Sequence, residues 1–152
     1  MKKHLFALIL MCLSYSINAQ IFRPVTWSTK VEKVDVNTYN LIATATIDQG
    51  WHLYSQSVPE GGPIPTSFQF QESDAYKLLR YTLEDEGVVV DDPIFNMKIK
   101  YFSDKATFRQ RVRVTDPALS TISAAVEFMV CDETRCLPPK EEKLVFDLKS
   151  AK

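Results

Sequence analysis

The sequence predicts an all-β fold, a sandwich of short strands, from three observations. Apolar and polar residues alternate over short runs, as at Leu144, Phe146 and Leu148, which is the period of a strand with one buried face. Turn-forming residues such as Gly61-Gly62-Pro63 and Asp116-Pro117 separate these runs. No segment of the sequence carries the apolar stripe of an amphipathic helix.

Strands and turns follow one another along the chain. Asp35-Val36-Asn37-Thr38 separates the first two predicted strands, and Asp48-Gln49-Gly50 precedes the third. A hairpin that carries two cysteines ends the series. The strands predicted before this hairpin cover residues 25–34, 39–47, 51–54, 66–70, 76–81, 87–90, 97–101 and 106–114.

Residues 1–19 have the organisation of a secretory signal peptide. Lys2 and Lys3 form a basic start, a short apolar run follows, and Ala19 is a suitable residue before the cleavage site. We therefore expect an exported mature chain, residues 20–152, that forms a single domain. No later run approaches the roughly 18 apolar residues of a membrane-spanning helix, so no span is expected in the mature chain.

The charge balance argues against two classes of partner. The sequence has 18 basic and 19 acidic side chains, and loss of Lys2 and Lys3 with the signal peptide leaves a net charge of about −3. A chain without a basic excess has little electrostatic attraction for nucleic acid or for anionic membrane surfaces. We expect neither as a partner.

Two of the three cysteines are expected in the mature protein. Cys12 leaves with the signal peptide, so Cys131 and Cys136 form an even pair in an exported protein, where disulfides persist. They flank the loop Asp132-Glu133-Thr134-Arg135, with strand-like segments on both sides. In a hairpin closed by this loop the cysteines face each other, with Cα atoms roughly 4.5 to 5.5 Å apart, as a disulfide requires.

A disulfide between these cysteines would close a very short loop. On the loop-closure model such a bond removes little entropy from the unfolded chain, so it stabilises the fold weakly. Pro138 and Pro139 follow closely and donate no backbone hydrogen bond, which keeps a pairing strand away from Cys136. We therefore interpret Cys131 and Cys136 as a redox-active pair.

Three segments carry a resemblance to a known family. They are the sequence GWHLYS at residues 50–55, the sequence GGPIPT at residues 61–66, and residues 130–139 around the cysteines, which are the most specific. Most of residues 24–148 resembles the N-terminal periplasmic domain of the DsbD family of thiol:disulfide interchange proteins. The resemblance implies a periplasmic, immunoglobulin-like β-sandwich with the cysteine pair on its C-terminal hairpin.

The resemblance also implies an electron relay. The family's domain receives electrons from a membrane-bound system and reduces periplasmic thioredoxin-fold oxidoreductases, including those of disulfide isomerisation and cytochrome c maturation. Cys136 would form the mixed disulfide with the partner, and Cys131 would resolve it. The sequence ends at Lys152 without a membrane module, so a DsbD-type electron donor is expected to be a separate polypeptide. No metal or organic cofactor is expected.

A cap loop that shields the cysteines is a further implication of the resemblance. By position this loop is Asp92-Pro93-Ile94-Phe95-Asn96. Phe95 is the expected shielding ring, with Ile94 as the alternative. The competing interpretation is that Phe95 is an ordinary core residue at the end of a strand.

The short strand at residues 51–54 supplies two more candidate site residues. His52 and Tyr54 share one face of the strand, while Trp51 and Leu53 point to the other. The resemblance places His52 and Tyr54 beside the cysteines. An ordinary packed or solvent-facing histidine is the alternative for His52.

Three other functions are compatible with these residues. A secreted β-sandwich that binds a protein or a glycan and keeps a structural disulfide is the main alternative. A metal site made of Cys131, Cys136 and His52 would lack both a fourth ligand and Cys-x2-Cys spacing. A cysteine hydrolase would need His52 as base, and a second cysteine nearby would tend to oxidise its nucleophile.

Overall fold

The computed structural model describes residues 22–151, which form β-strands and one short 3-10 helix, Leu148–Ser150. The predicted signal peptide, residues 1–19, lies outside the described residues. Within them, no helix is long and apolar enough to cross a bilayer. The strands are β1 (Val25–Lys33), β2 (Thr38–Ile47), β3 (His52–Tyr54), β4 (Ser67–Phe70), β5 (Tyr76–Glu84), β6 (Val88–Asp92), β7 (Met97–Phe102), β8 (Lys105–Val114), β9 (Thr121–Phe128), β10 (Val130–Cys131) and β11 (Lys140–Asp147).

The strands pair antiparallel in three sheets. The first sheet has the order β1-β2-β8-β5, the second β10-β3-β7-β6 and the third β11-β9-β4. Several neighbours within a sheet, such as β2 and β8, are far apart in the chain, so the connections cross between sheets. This is the connectivity of an immunoglobulin-like β-sandwich, as predicted.

The main core ties the first sheet to the third. Trp27 of β1 is partly buried and packs against this core, with its ring centroid 5.7 Å from that of Phe108 on β8. The same ring is 5.9 Å from Phe68 on β4 and 5.5 Å from Phe128 on β9. Because these four aromatic side chains come from two sheets, their packing holds the sandwich together.

The second sheet has apolar side chains on both faces. Leu53 of β3 and Phe102 of β7 belong to the main core. Tyr54 and Ile99 are buried in a separate cluster with Cys131, which we call the cysteine cluster. Neighbouring residues of a strand point to opposite faces, so β3 contributes to both clusters. The cysteines therefore lie on the outer face of this sheet and outside the main core.

The strands before the cysteine-bearing hairpin agree with the predicted ones to within three residues at each boundary. The largest difference is in β5, which continues past the predicted end to Glu84. Arg80 has a left-handed backbone, with φ of 67°, and the pairing register shifts between Leu79 and Leu83. This bulge breaks the alternation from which the strand was predicted.

The cysteine-bearing hairpin is confirmed and is longer than predicted. β9 begins at Thr121 and pairs with β11 from Asp147 to Lys140. After Phe128 the chain leaves this pairing, and the two-residue strand β10 pairs with β3 instead. The tip of the hairpin thus joins the second sheet, which places Cys131 directly beside β3.

Glu84 connects the end of β5 to the second sheet by hydrogen bonds. Its carboxylate accepts them from Ser55 Oγ at 2.5 Å, Gln56 N at 2.9 Å and Lys100 Nζ at 2.8 Å. Burial alone would raise the pKa of Glu84, but these hydrogen bonds, with that from Lys100 first, outweigh burial and lower the pKa. The ionised carboxylate therefore anchors the segment that follows β3.

Replacement of Glu84 by glutamine is expected to destabilise the protein by about 2 kcal/mol near neutral pH, because hydrogen bonds to a poorly exposed charged group are strong. The pKa of Glu84 is lowered in the folded state. The stabilising contribution of the Glu84 carboxylate is therefore complete above its unfolded-state pKa and is lost as the pH falls through its folded-state pKa. In urea unfolding, the free energy of unfolding should therefore fall less between neutral and acidic pH in Glu84→Gln than in the wild type. Glu86→Gln, at an exposed neighbouring position, is the control. If acid lowered the free energy of unfolding equally in all three proteins, the prediction would be contradicted.

Candidate functional site

The two cysteines face each other at the tip of the C-terminal hairpin. Cys131 ends β10, and Cys136 is its partner in an isolated antiparallel bridge. A disulfide joins them, and their Cα atoms are 4.0 Å apart. Leu137 N donates a hydrogen bond to Val130 O at 2.9 Å, which continues the pairing by one step. The predicted facing pair at the mouth of a four-residue loop is confirmed, but the Cα atoms are closer together than the predicted separation.

The loop between the cysteines is a turn organised by Asp132. Its backbone N–H donates to Arg135 O at 2.9 Å. Its carboxylate accepts hydrogen bonds from Thr134 N and Thr134 Oγ1, each at 2.8 Å, and from Arg135 N at 2.9 Å. These bonds, with that from Thr134 N first, lower the pKa of Asp132 to about 2. The turn is therefore held by an ionised side chain across the ordinary pH range.

The two cysteines differ in exposure. Cys131 is fully buried in the cysteine cluster, with 0% of its surface exposed. Cys136 is half-buried and packs at the edge of the same cluster. Thiol–disulfide exchange depends on which sulfur an incoming thiolate can reach. Cys136 is the more exposed of the two residues.

β3 brings two predicted side chains to the cysteines. In the pairing of β10 with β3, His52 lies directly opposite Cys131. Tyr54, two residues further along, is buried in the cysteine cluster. Trp51 and Leu53 belong to the main core on the opposite face, as the alternation predicted.

A chain of polar contacts links His52 to Asp92 at the end of β6. The hydroxyl of Tyr54 donates to Asp92 Oδ2 at 3.0 Å, and His52 Nε2 is 3.2 Å from the same hydroxyl oxygen. Asp92 Oδ2 is 4.0 Å from His52 Nε2. Asp92 is almost completely buried, with 3% of its surface exposed. The three side chains form one contiguous network, which we call the His52–Tyr54–Asp92 network.

Burial controls the protonation of this network. It raises the pKa of Tyr54, and the hydrogen bond to Asp92 adds to the effect. Burial also lowers the pKa of His52, although the nearby carboxylates of Asp92 and Asp132 oppose the change. Both the phenol and the imidazole are therefore neutral near pH 7.

Asp92 also shapes the loop that was predicted to cap the cysteines. This loop joins β6 to β7, and Asp92 Oδ1 accepts hydrogen bonds from Ile94 N at 2.9 Å and Phe95 N at 3.1 Å. Asn96, with a left-handed φ of 52°, donates its N–H to Asp92 O at 2.8 Å. One buried carboxylate thus binds the turn on one side and Tyr54 on the other.

The two candidate shielding side chains of this loop lie in different surroundings. Phe95 is half-buried and packs against the cysteine cluster, with its ring at 90° to that of Tyr54 and 6.0 Å between centroids. Ile94 is 40% exposed and lines a neighbouring groove. Phe95 is therefore the residue of this loop whose ring covers the cluster that contains Cys131.

A groove of about 480 Å³ opens beside the site. His52 and Tyr101 contribute to its wall, and it also runs past the turn that separates the cysteines. Its charged lining is acidic and contains no lysine or arginine; the acidic residues are Asp91, Asp92, Asp104, Asp132 and Glu133. The surroundings of His52 therefore carry a negative potential.

Two aromatic contacts of the site were missed by the sequence analysis. Tyr101 of β7 stacks on His52, with centroids 4.5 Å apart and planes at 27°. The guanidinium carbon of Arg135 lies 5.8 Å from the ring centroid of Trp51. Both aromatic residues were placed in strands, but nothing in the local pattern indicates that β7 pairs with β3. That pairing is what brings Tyr101 to His52.

Known proteins share this fold. The family model described as "Thiol:disulfide interchange protein DsbD, N-terminal" matches residues 23–148. The crystal structure of the Neisseria meningitidis DsbD N-terminal domain in the reduced form has a TM-score of 0.54 and 13% identity, with 84% of this chain and 90% of that chain covered. A search of curated protein sequences finds no match.

A second solved structure has the same fold. The N-terminal periplasmic domain of ScsB from Proteus mirabilis has a TM-score of 0.59 and 12% identity, with 84% of this chain and 47% of that chain covered. This chain therefore spans about half the length of that structure. At sequence identities this low, the similarity to these structures establishes only the fold. The family is established by the family model, which matches most of the sequence. The chain belongs to the family of the N-terminal domain of the thiol:disulfide interchange protein DsbD.

Proposed function

We propose that this protein is a periplasmic thiol:disulfide interchange domain that passes two electrons to thioredoxin-fold oxidoreductases through Cys131 and Cys136. The observation that carries the proposal is the unequal exposure of a disulfide in a very short loop. Cys131 is fully buried and Cys136 is half-buried, so Cys136 is the one of the two that an incoming thiol can approach more easily. Membership of the interchange family supports the same chemistry.

The proposed exchange proceeds in two steps that conserve sulfur and electrons. The Cys136 thiolate of the reduced protein attacks a partner disulfide, forms a mixed disulfide and releases one partner thiolate. Cys131 then attacks the Cys136 sulfur, which forms the observed disulfide and releases the second partner thiolate. The partner gains two electrons and this protein loses two. A dithiol donor of the DsbD type restores the reduced pair by the reverse sequence.

Shielding of the pair is the proposed function of the loop after β6. In an oxidising compartment an exposed dithiol reacts with any oxidant, so a relay needs selective access. Phe95 packs against the cysteine cluster, and Asp92 holds the backbone of the loop in place. A partner would displace the Phe95 ring to reach Cys136. The similar domain of Proteus mirabilis ScsB is periplasmic, which supports the proposed location.

The reduction potential of the pair tests this function. Purified mature protein, residues 20–152, is equilibrated in glutathione buffers, and alkylation followed by mass measurement gives the reduced fraction. We expect a potential between about −120 and −270 mV, the range of proteins that exchange disulfides. A value below about −300 mV, with sulfurs that resist alkylation in the folded reduced protein, would instead indicate a structural disulfide in a secreted binding domain.

A further inference from the structure

The burial of Cys131 raises a chemical problem for the second step of exchange. The attacking species in disulfide exchange is a thiolate, and a thiol enclosed by apolar side chains ionises poorly. Cys131 is 0% exposed and shares its cluster with Tyr54 and Ile99. Water has little access to this sulfur, so a neighbouring side chain is needed to accept its proton.

The pairing of β10 with β3 places one such side chain next to Cys131. His52 is the directly opposed residue, and opposed residues of an antiparallel pair project from the same face with Cβ atoms roughly 4.5 to 5.5 Å apart. A second observation agrees, because Tyr54 contacts both the cysteine cluster and His52. His52 and Cys131 are thus neighbours on the same face of the second sheet.

We propose that His52 is the proton acceptor for Cys131 when the intramolecular disulfide closes. The assignment rests on the proposed interchange function. Tyr54 and Asp92 act as positioning residues: the Tyr54 hydroxyl donates to Asp92, so its oxygen accepts the Nε2–H of His52. This tautomer keeps the lone pair on Nδ1, which is the atom that takes the proton.

The proposed step conserves protons, sulfur and electrons. Cys131 loses its proton to His52 Nδ1 as its sulfur attacks Cys136, the new bond forms between the two protein sulfurs, and the bond from Cys136 to the partner breaks. The partner sulfur leaves with the electron pair of the broken bond. In the reverse direction, the imidazolium of His52 returns the proton to Cys131 as that sulfur becomes the leaving group.

The charges around His52 fit a base that is neutral at rest. Asp92 Oδ2 lies 4.0 Å from Nε2, and Asp132 acts from the cysteine turn, so both carboxylates stabilise the imidazolium once it forms. Tyr54 and Tyr101 contact the ring from β3 and β7, and Asp104 and Glu133 line the adjacent groove. Burial lowers the pKa of His52, so the unprotonated form is present at neutral pH. Acidification below that pKa should remove the acceptor.

The test follows the two steps of one turnover with glutathione disulfide as the probe. Reduced protein is mixed with excess probe, quenched with acid at intervals, and resolved by mass into reduced, glutathionylated and oxidised forms from about pH 5 to 9. In His52→Gln we expect ring closure to slow by about 100-fold at neutral pH, the lower end of general-base effects. The glutathionylated form should accumulate, and the inflection in ring closure below neutral pH should disappear.

Tyr54→Phe separates positioning from packing, since it removes the hydroxyl and keeps the ring. The imidazolium of His52 loses its hydrogen-bond acceptor in this variant, which lowers the pKa of His52. We therefore expect the intramolecular disulfide to close more slowly, and the inflection in the pH profile of the closure rate to move to lower pH. Tyr81→Phe, at an exposed position of β5, is the matched control and should behave like the wild type. Wild-type and His52→Gln proteins that close at the same rate across the pH range would overturn the assignment and leave the interchange function intact. A wild-type protein that never closes would overturn both.

Discussion

Replacement of Cys131 by alanine is expected to trap a stable mixed disulfide between Cys136 and a thioredoxin-fold oxidoreductase. Cys136 is the half-buried cysteine and can still react, but the sulfur that would release the partner is gone. The adduct should survive non-reducing electrophoresis of periplasmic extract, and peptide mass analysis should locate it on Cys136. In the wild type the same adduct should be resolved by Cys131 and should not accumulate.

Cys136→Ala is the matched control for this experiment. It leaves Cys131, which is 0% exposed, so a partner cannot reach the remaining sulfur. We expect little or no adduct from this variant. Equal trapping by the two variants would contradict the assignment of Cys136 as the entry point. Absence of an adduct from Cys131→Ala with purified thioredoxin-fold proteins would count against the relay itself.

Replacement of Phe95 by alanine is expected to increase the rate at which the reduced pair is oxidised by small disulfides by about tenfold. Removal of a half-buried phenylalanine ring costs the closed loop about 1.5 kcal/mol, and each 1.36 kcal/mol corresponds to a factor of ten in the open population. The measurement is the oxidation rate of the reduced protein in excess glutathione disulfide. The fold should persist, since Phe95 packs against the cysteine cluster and not in the main core.

Two variants serve as controls for the shielding prediction. Ile94→Ala removes apolar bulk from the same loop at a position that is 40% exposed, and Val89→Ala does so on the neighbouring strand at a position that is 61% exposed. We expect both to be oxidised at the wild-type rate. Faster oxidation of Ile94→Ala with no change in Phe95→Ala would show that Ile94 is the shielding residue.

Local patterns were sufficient to predict most of the strands. Where a strand is regular, as in β8, alternating side chains report its buried face directly. β5 could not be delimited in this way, because the left-handed residue Arg80 and the following register shift destroy the period of two. The hairpin that carries Cys131 and Cys136 was predictable because its two arms are adjacent in the chain and its loop is short.

The contacts of the candidate site were predictable only in part. That His52 and Tyr54 share a face follows from the geometry of one strand, and the resemblance to the family placed them near the cysteines. The network to Asp92 requires three strands, β3, β7 and β6, to lie in that order, which no local pattern specifies. Tyr101 was missed for the same reason, since its stack on His52 exists only because β7 pairs with β3.

The sequence by itself determined that this protein is an all-β sandwich with a short-loop cysteine pair at its C-terminal hairpin. Those features depend on residues near one another in the chain, whose spacing sets both strand period and loop length. The tertiary structure alone decided which cysteine is the more exposed, which loop residue packs against the cysteine cluster, and that His52 pairs directly with Cys131. These three features depend on pairing between strands that are distant in the chain. The order of those strands follows from the burial of both apolar faces of the second sheet, one in the main core and the other in the cysteine cluster.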